Sequence, residues 1–202
     1  MAYTQEPKVI VAFDFEHKNE ALELLDKLDP RLCRLKVGKA MFTQLGPEWV
    51  KFLMTKGFDV FLDLKYHDIP NTVYGACLEA AKLGVWMVNV HALGGKKMLE
   101  EAVKAVHSVK GKRPLLIGVT LLTSLQQDNL AFLNIQDSLE SMVCRLAGLC
   151  KEAGLDGVVC SPLEAPLIKQ EYGEDFLCVT PGIRLESDDL GDQKRVMTPK
   201  LA

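Results

Sequence analysis

Four charged residues stand where apolar runs end. Asp14 follows Val-Ile-Val-Ala-Phe, Lys36 follows Leu-Cys-Arg-Leu, and Asp63 and Lys65 close Phe-Leu-Asp-Leu-Lys. Side chains alternate along a strand, so Asp63 and Lys65 are expected on one face, with Leu62 and Leu64 on the other. Isolated charges buried at such positions cost several kcal/mol each (about 3–5 when a partner is missing), so two acids and two bases at neighbouring strand ends imply mutual pairing. Asp68 follows three residues after Lys65. An ammonium held among carboxylates stays protonated. A single pair of this kind could merely pin a fold together, but four charges at strand ends are the arrangement that active sites collect.

The elements that must carry these residues alternate along the whole chain. Short apolar runs, nearly continuous in hydrophobicity, occupy Val9–Phe13, Leu32–Val37, Phe58–Leu64, Val85–Val90, Leu115–Leu121, Gly157–Cys160 and Phe176–Thr180. Such runs fit strands covered on both faces, as in parallel sheets. Amphipathic stretches lie between them, among them Glu20–Leu28, Pro47–Lys56, Asn71–Lys82 and Ser138–Glu152. In the last, Leu139, Met142, Val143, Leu146 and Leu149 recur at helical spacing. Gly57, Gly84 and Gly154 fall where helices end. The pattern predicts seven βα units, with Pro199 opening a helix after the last strand. A doubly wound sheet would place a glycine-rich loop after its first strand, and Phe13-Asp14-Phe15-Glu16 is unlike one. Charges at the C-terminal ends of strands point instead to a (β/α)8 TIM barrel.

Composition narrows the function. The chain has 202 residues, 48% hydrophobic and 25% charged, which suits one globular domain over 1–202. A formal net charge of −3 with no lysine or arginine block argues against nucleic acid as a partner. No apolar run approaches the roughly 20 residues of a membrane span. No cationic and apolar leader pattern opens the sequence. The six cysteines, at 33, 77, 144, 150, 160 and 178, form no C-x-x-C pair and are expected to be free, buried thiols of a cytoplasmic protein. Of the four histidines, His67 and His91 lie near expected strand ends, as packing or supporting residues rather than metal ligands.

The string Asp63-Leu-Lys-Tyr-His-Asp-Ile-Pro-Asn-Thr72 resembles the signature of the orotidine 5′-phosphate decarboxylases. The likeness continues through Val88-Asn89-Val90-His91, Asp156-Gly-Val-Val159, Thr180-Pro-Gly-Ile-Arg184 and Gly191-Asp-Gln-Lys-Arg195. The resemblance implies a cofactor-free, metal-free lyase that converts orotidine 5′-phosphate to uridine 5′-phosphate in pyrimidine synthesis. It makes Lys65 the acid that protonates C6 and sets Asp63 beside the substrate carboxylate. Lys36 and Asp14 take the ribose, and Thr123 lies near the pyrimidine. Arg184 and Gln193 serve the phosphate end, under a segment, 185–194, that could close over it. Asp68 and Thr72 reach the site of a neighbouring subunit, implying a homodimer.

The family pattern also carries an eighth strand and a Gly-Arg phosphate pair beyond Ala202, so the barrel is expected to be C-terminally incomplete, with unpaired first and seventh strands. Two other readings stay open. One is a Mg²⁺-dependent sugar-phosphate decarboxylase or aldolase on the same barrel, although Lys36 stands where a metal would favour oxygen. The other is a barrel that binds a nucleotide or protein without catalysis.

Overall fold

The computed structural model describes residues 6–132, 134–185 and 196–201. Seven strands alternate with helices: β1 (Val9–Phe13), α1 (Lys18–Leu25), β2 (Cys33–Gly38), α2 (Lys39–Thr55), β3 (Val60–Tyr66), α3 (Pro70–Leu83), β4 (Met87–His91), α4 (Gly95–His107), β5 (Leu115–Val119), α5 (Gln127–Phe132), α6 (Leu139–Ala153), β6 (Gly157–Val159), α7 (Ala165–Tyr172) and β7 (Leu177–Val179). Every strand pair is parallel. The order in the sheet is sequential, from β1 to β7. A doubly wound sheet reverses direction from a central strand. Sequential order throughout is that of a (β/α) barrel, as expected from the sequence. Among the described residues, β1 and β7 each pair on one side only.

The alternation of strand side chains divides the core in two. Leu35, Val37, Leu62, Val88, Val90 and Val158 pack outward with the helices, joined by partly buried Leu64. Phe61, Met87 and Ile117 face inward and pack with Ile10, Trp86, Leu115, Val159 and Val179. Leu62 is therefore on the helix side and Asp63 on the inner side, two residues above Phe61. The inner floor is closed by Arg34, which is 7% exposed, pairs with Asp59 and Glu6, and stacks on the Trp86 ring at 4.0 Å.

Local signals set most element ends. Ser138 Oγ accepts from Ser141 N–H at 3.1 Å to cap α6, and Gly154 ends it in the left-handed conformation. α3 opens on Pro70, with the preceding Ile69 extended, as a residue before proline must be. α2 begins eight residues before the predicted Pro47, because Lys39–Leu45 forms a first helical segment. Gly46 breaks it with φ 66°, and Pro47 restarts the helix. Pro199 does not open a helix among the described residues; it sits in a turn closed by Leu201 N–H on the Thr198 carbonyl. All six thiols are free, four of them buried. No helix among the described residues is long and apolar enough to cross a membrane.

Candidate active site

β1, β2 and β3 bring the four predicted charges together at the C-terminal end of the sheet. Lys36 Nζ donates to Asp14 Oδ2 at 2.8 Å and lies 3.2 Å from Asp63 Oδ2. Lys65 Nζ donates to the other Asp63 oxygen, Oδ1, at 2.6 Å. The result is one alternating row, Asp14–Lys36–Asp63–Lys65. Its inner members are well covered and its ends are open: the side chains are 51%, 21%, 10% and 27% exposed in that order.

Gly38, at the end of β2, leaves room for the row. A Cβ there would stand 2.5 Å from Asp14 Oδ1 and 3.6 Å from Lys36 Nζ.

Burial pushes the Asp63 carboxyl up, but Lys36 and Lys65 outweigh it with help from hydrogen bonds, and the group ends below the usual carboxylate range. Burial lowers Lys36, yet Asp63 and Asp14 more than compensate and leave it above the ordinary lysine value. The inner pair of the row is therefore fully charged near neutral pH.

Asp63 and Lys65 share a side, but not by simple alternation. The β3–β4 register shifts between Leu62 and Tyr66, and Lys65 itself adopts φ 52°. A left-handed lysine costs about 1–2 kcal/mol, so something nearby must hold it. Asn89 of β4 does so. It is fully buried; its Oδ1 accepts from the Lys65 backbone N–H at 2.8 Å, and its Nδ2 donates to Asp63 Oδ1 at 2.7 Å. Sequence reasoning assigned Asn89 no role. The available signal was an amide in the middle of an otherwise apolar, doubly covered strand.

The remaining predicted residues lie around this row at varying distances. Asp68 and Thr72 are exposed. The Asp68 carboxylate accepts from Ile69 N–H at 2.6 Å, and among the described residues no ion pair joins it to Lys65. Lys65 is thus paired with Asp63 rather than flanked by two acids of its own chain. Thr123 is 7% exposed in the turn after β5. Arg184 is half-buried and donates to the Ile183 carbonyl at 3.0 Å, next to the bridge between Ile183 and Met197. Gln193 lies outside the described residues, as does most of 185–194.

His91, at the end of β4, meets His67 with ring centroids 5.3 Å apart. Burial, then the neighbouring His67 and lysines, lower His91 to about 4, so it is neutral at physiological pH. A cleft of about 590 Å³, lined by Asp14, Phe15, Glu16 and residues of α2, adjoins the open end of the row. Among the described residues, no three histidine, cysteine or acidic side chains converge as a metal site.

Residues 7–202 match the family model described as Orotidine 5′-phosphate decarboxylase / HUMPS family. The chain is 55% identical over 198 residues to the orotidine 5′-phosphate decarboxylase of Pseudoalteromonas atlantica, covering 98% of this chain and 86% of that one. It is 57% identical over 195 residues to that of Glaesserella parasuis, covering 96% and 85%. The crystal structure of orotidine 5′-phosphate decarboxylase from Lactobacillus acidophilus superposes with a TM-score of 0.82 at 40% identity, covering 89% of this chain and 82% of that one.

Proposed function

The chain belongs to the orotidine 5′-phosphate decarboxylase / HUMPS family, and from that membership we propose that it decarboxylates orotidine 5′-phosphate to uridine 5′-phosphate using only its own charges. The observation that carries the proposal is the placement of Lys65 Nζ 2.6 Å from a buried carboxylate within the alternating row.

In the proposed reaction the bond from C6 to the carboxylate breaks and leaves its electron pair on C6. Lys65 delivers a proton to that carbon and is reprotonated from water. With no covalent sink for the electrons, stabilisation falls to fixed charges, commonly the largest catalytic contribution. Asp63 stands beside the substrate carboxylate, whose negative charge leaves it as carbon dioxide forms. Both Asp63 oxygens are already engaged by cations and an amide, which holds the carboxylate still before substrate arrives.

Asp14, at the open end of the row, and Lys36 beside it suit the ribose hydroxyls. Thr123 is assigned to the pyrimidine, Arg184 and Gln193 to the phosphate. The exposure of Asp68 and Thr72 supports a role in trans, in the site of a second subunit of a homodimer. The ammonium of Lys36 between Asp14 and Asp63 supports a site without a metal. The cytoplasm, where free thiols persist, is the proposed location.

The test is spectrophotometric loss of orotidine 5′-phosphate with the parent chain and with Lys65→Ala. Turnover is expected to vanish in the variant while uridine 5′-phosphate still binds. Comparable turnover in both would remove Lys65 as the acid. Loss of activity with EDTA would favour a metal-dependent relative instead.

A further inference from the structure

Lys65 is the functional end of the proposed site, and its backbone is in a conformation that lysine rarely adopts. Strand β3 should run straight through Asp63, Leu64 and Lys65, with each N–H bonded to the neighbouring strand. Instead the ladder to β4 slips between Leu62 and Tyr66. The Lys65 N–H leaves the ladder and bonds to a side chain, Asn89 Oδ1, at 2.8 Å. The same side chain uses its amide nitrogen to grip Asp63 Oδ1 at 2.7 Å, the oxygen that Lys65 Nζ also occupies at 2.6 Å.

We propose that Asn89 is a positioning residue for the decarboxylation, locking the bulge that turns the Lys65 ammonium onto Asp63 and fixing the carboxylate it shares. This assignment rests on the function proposed above. The geometry demands both ends of an amide. The Lys65 N–H needs an acceptor, and Asp63 Oδ1 needs a donor. Asparagine supplies both from one rigid group, and at 0% exposure no solvent substitutes for it. Leucine has nearly the same shape but offers neither. Aspartate keeps the acceptor, but when ionised it cannot donate and it repels Asp63. Protonated, it regains a donor; burial and the Asp63 carboxylate favour that form, while Lys65 and Lys36 on the far side of Asp63 oppose it.

The experiment compares kcat and KM for orotidine 5′-phosphate in the parent, Asn89→Leu, Asn89→Asp and Lys65→Ala, with circular dichroism melts for each. Displacement of a reacting group by about 1 Å commonly costs on the order of 100-fold in rate. Asn89→Leu is therefore expected to lose about 100-fold in kcat with KM changed by less than about threefold. Asn89→Asp is expected to regain activity relative to the parent on acidification, its relative kcat falling about tenfold per pH unit above the new residue's pKa. A residue that merely filled the core would show its pH dependence in the melts of Asn89→Asp and not in kcat per folded molecule.

A folded Asn89→Leu with parental kcat, or an Asn89→Asp whose relative rate is flat with pH, overturns the assignment while leaving the decarboxylase reading intact. If Asn89→Leu does not fold, Asn89→Asp decides alone. If neither folds, Asn89 is a core residue and the assignment also fails. A parent chain that does not turn over orotidine 5′-phosphate takes both proposals down together.

Discussion

Lys36 offers the most informative single change, because the structure says how its loss should depend on pH. It sits between two carboxylates, 2.8 Å from Asp14 Oδ2 and 3.2 Å from Asp63 Oδ2. With an effective dielectric constant of about 20, one charge pair at 3.2 Å is worth about 5 kcal/mol before desolvation is subtracted. The Asp14 share is small, since that side chain is 51% exposed and surface pairs contribute at most about 1 kcal/mol. The Asp63 share is larger because only 10% of that side chain is exposed. Removing one member of a buried pair typically costs about 3–5 kcal/mol. Lys36 keeps 21% exposure and Asp63 keeps Lys65 and Asn89, so Lys36→Met should lose about 3 kcal/mol, the low end.

The pH dependence follows from the direction of each shift. Asp63 is depressed in the folded state, so its contribution is present above the ordinary carboxylate value and is lost as pH falls through the folded value. Without Lys36, burial pushes Asp63 up, and acidification relieves the variant by protonating it. Lys36 is raised, so its contribution is complete below the ordinary lysine value and is lost as pH climbs through the raised one. The stability gap between parent and variant is therefore widest from about pH 5 to 9 and narrows on both sides. Urea unfolding followed by the fluorescence of Trp49 and Trp86 measures it. A gap below about 0.5 kcal/mol at pH 7, or one that widens on acidification, would refute the reasoning.

Three further outcomes are expected. Gly38→Ala places a Cβ 2.5 Å from Asp14 Oδ1, so it should displace that carboxylate and raise KM about tenfold with a smaller change in kcat; an unchanged KM in steady-state assays would count against Asp14 as a substrate contact. Gly157→Ala sets a Cβ against the Leu177 carbonyl oxygen, in the β6–β7 ladder, where backbone cannot yield cheaply; a loss of about 3 kcal/mol in urea unfolding is expected, and a loss under about 1 would contradict the tight approach. His91 should titrate near 4 by NMR, making no acid limb between pH 6 and 8; a limb there that disappears in His91→Gln would show the ring charging in the working range.

Much of the fold was legible because the central strands are buried along most of their length. The edge strand Val-Ile-Val-Ala-Phe is only partly covered, yet its range is the expected one, and the other strand ends differ from expectation by at most two residues. Lys39–Leu45 was not legible as helix. Gly46-Pro47 reads as a break, and it is one, but the structure resumes the helix on the far side instead of beginning it there. Asp68 shows the opposite limit. Its closeness in sequence suggested a second acid beside Lys65, whereas its carboxylate turns to the Ile69 N–H at the entrance to α3.

Strand alternation placed Asp63 and Lys65 on one face, and they meet there, but the strand that was meant to deliver them is not regular. Alternation is a local rule and assumes that each N–H continues the ladder. At Lys65 the ladder is interrupted by a side chain 24 residues downstream, and the backbone crosses into left-handed space to accommodate it. No pattern within β3 encodes that crossing, because its cause lies in β4. The sequence of β3 therefore supplies the two charged groups, while the buried amide of β4 holds the backbone that carries one of them. A substitution at Asn89 should for this reason disturb Lys65 more than most substitutions in β3 itself, since those leave the amide free to hold the bulge.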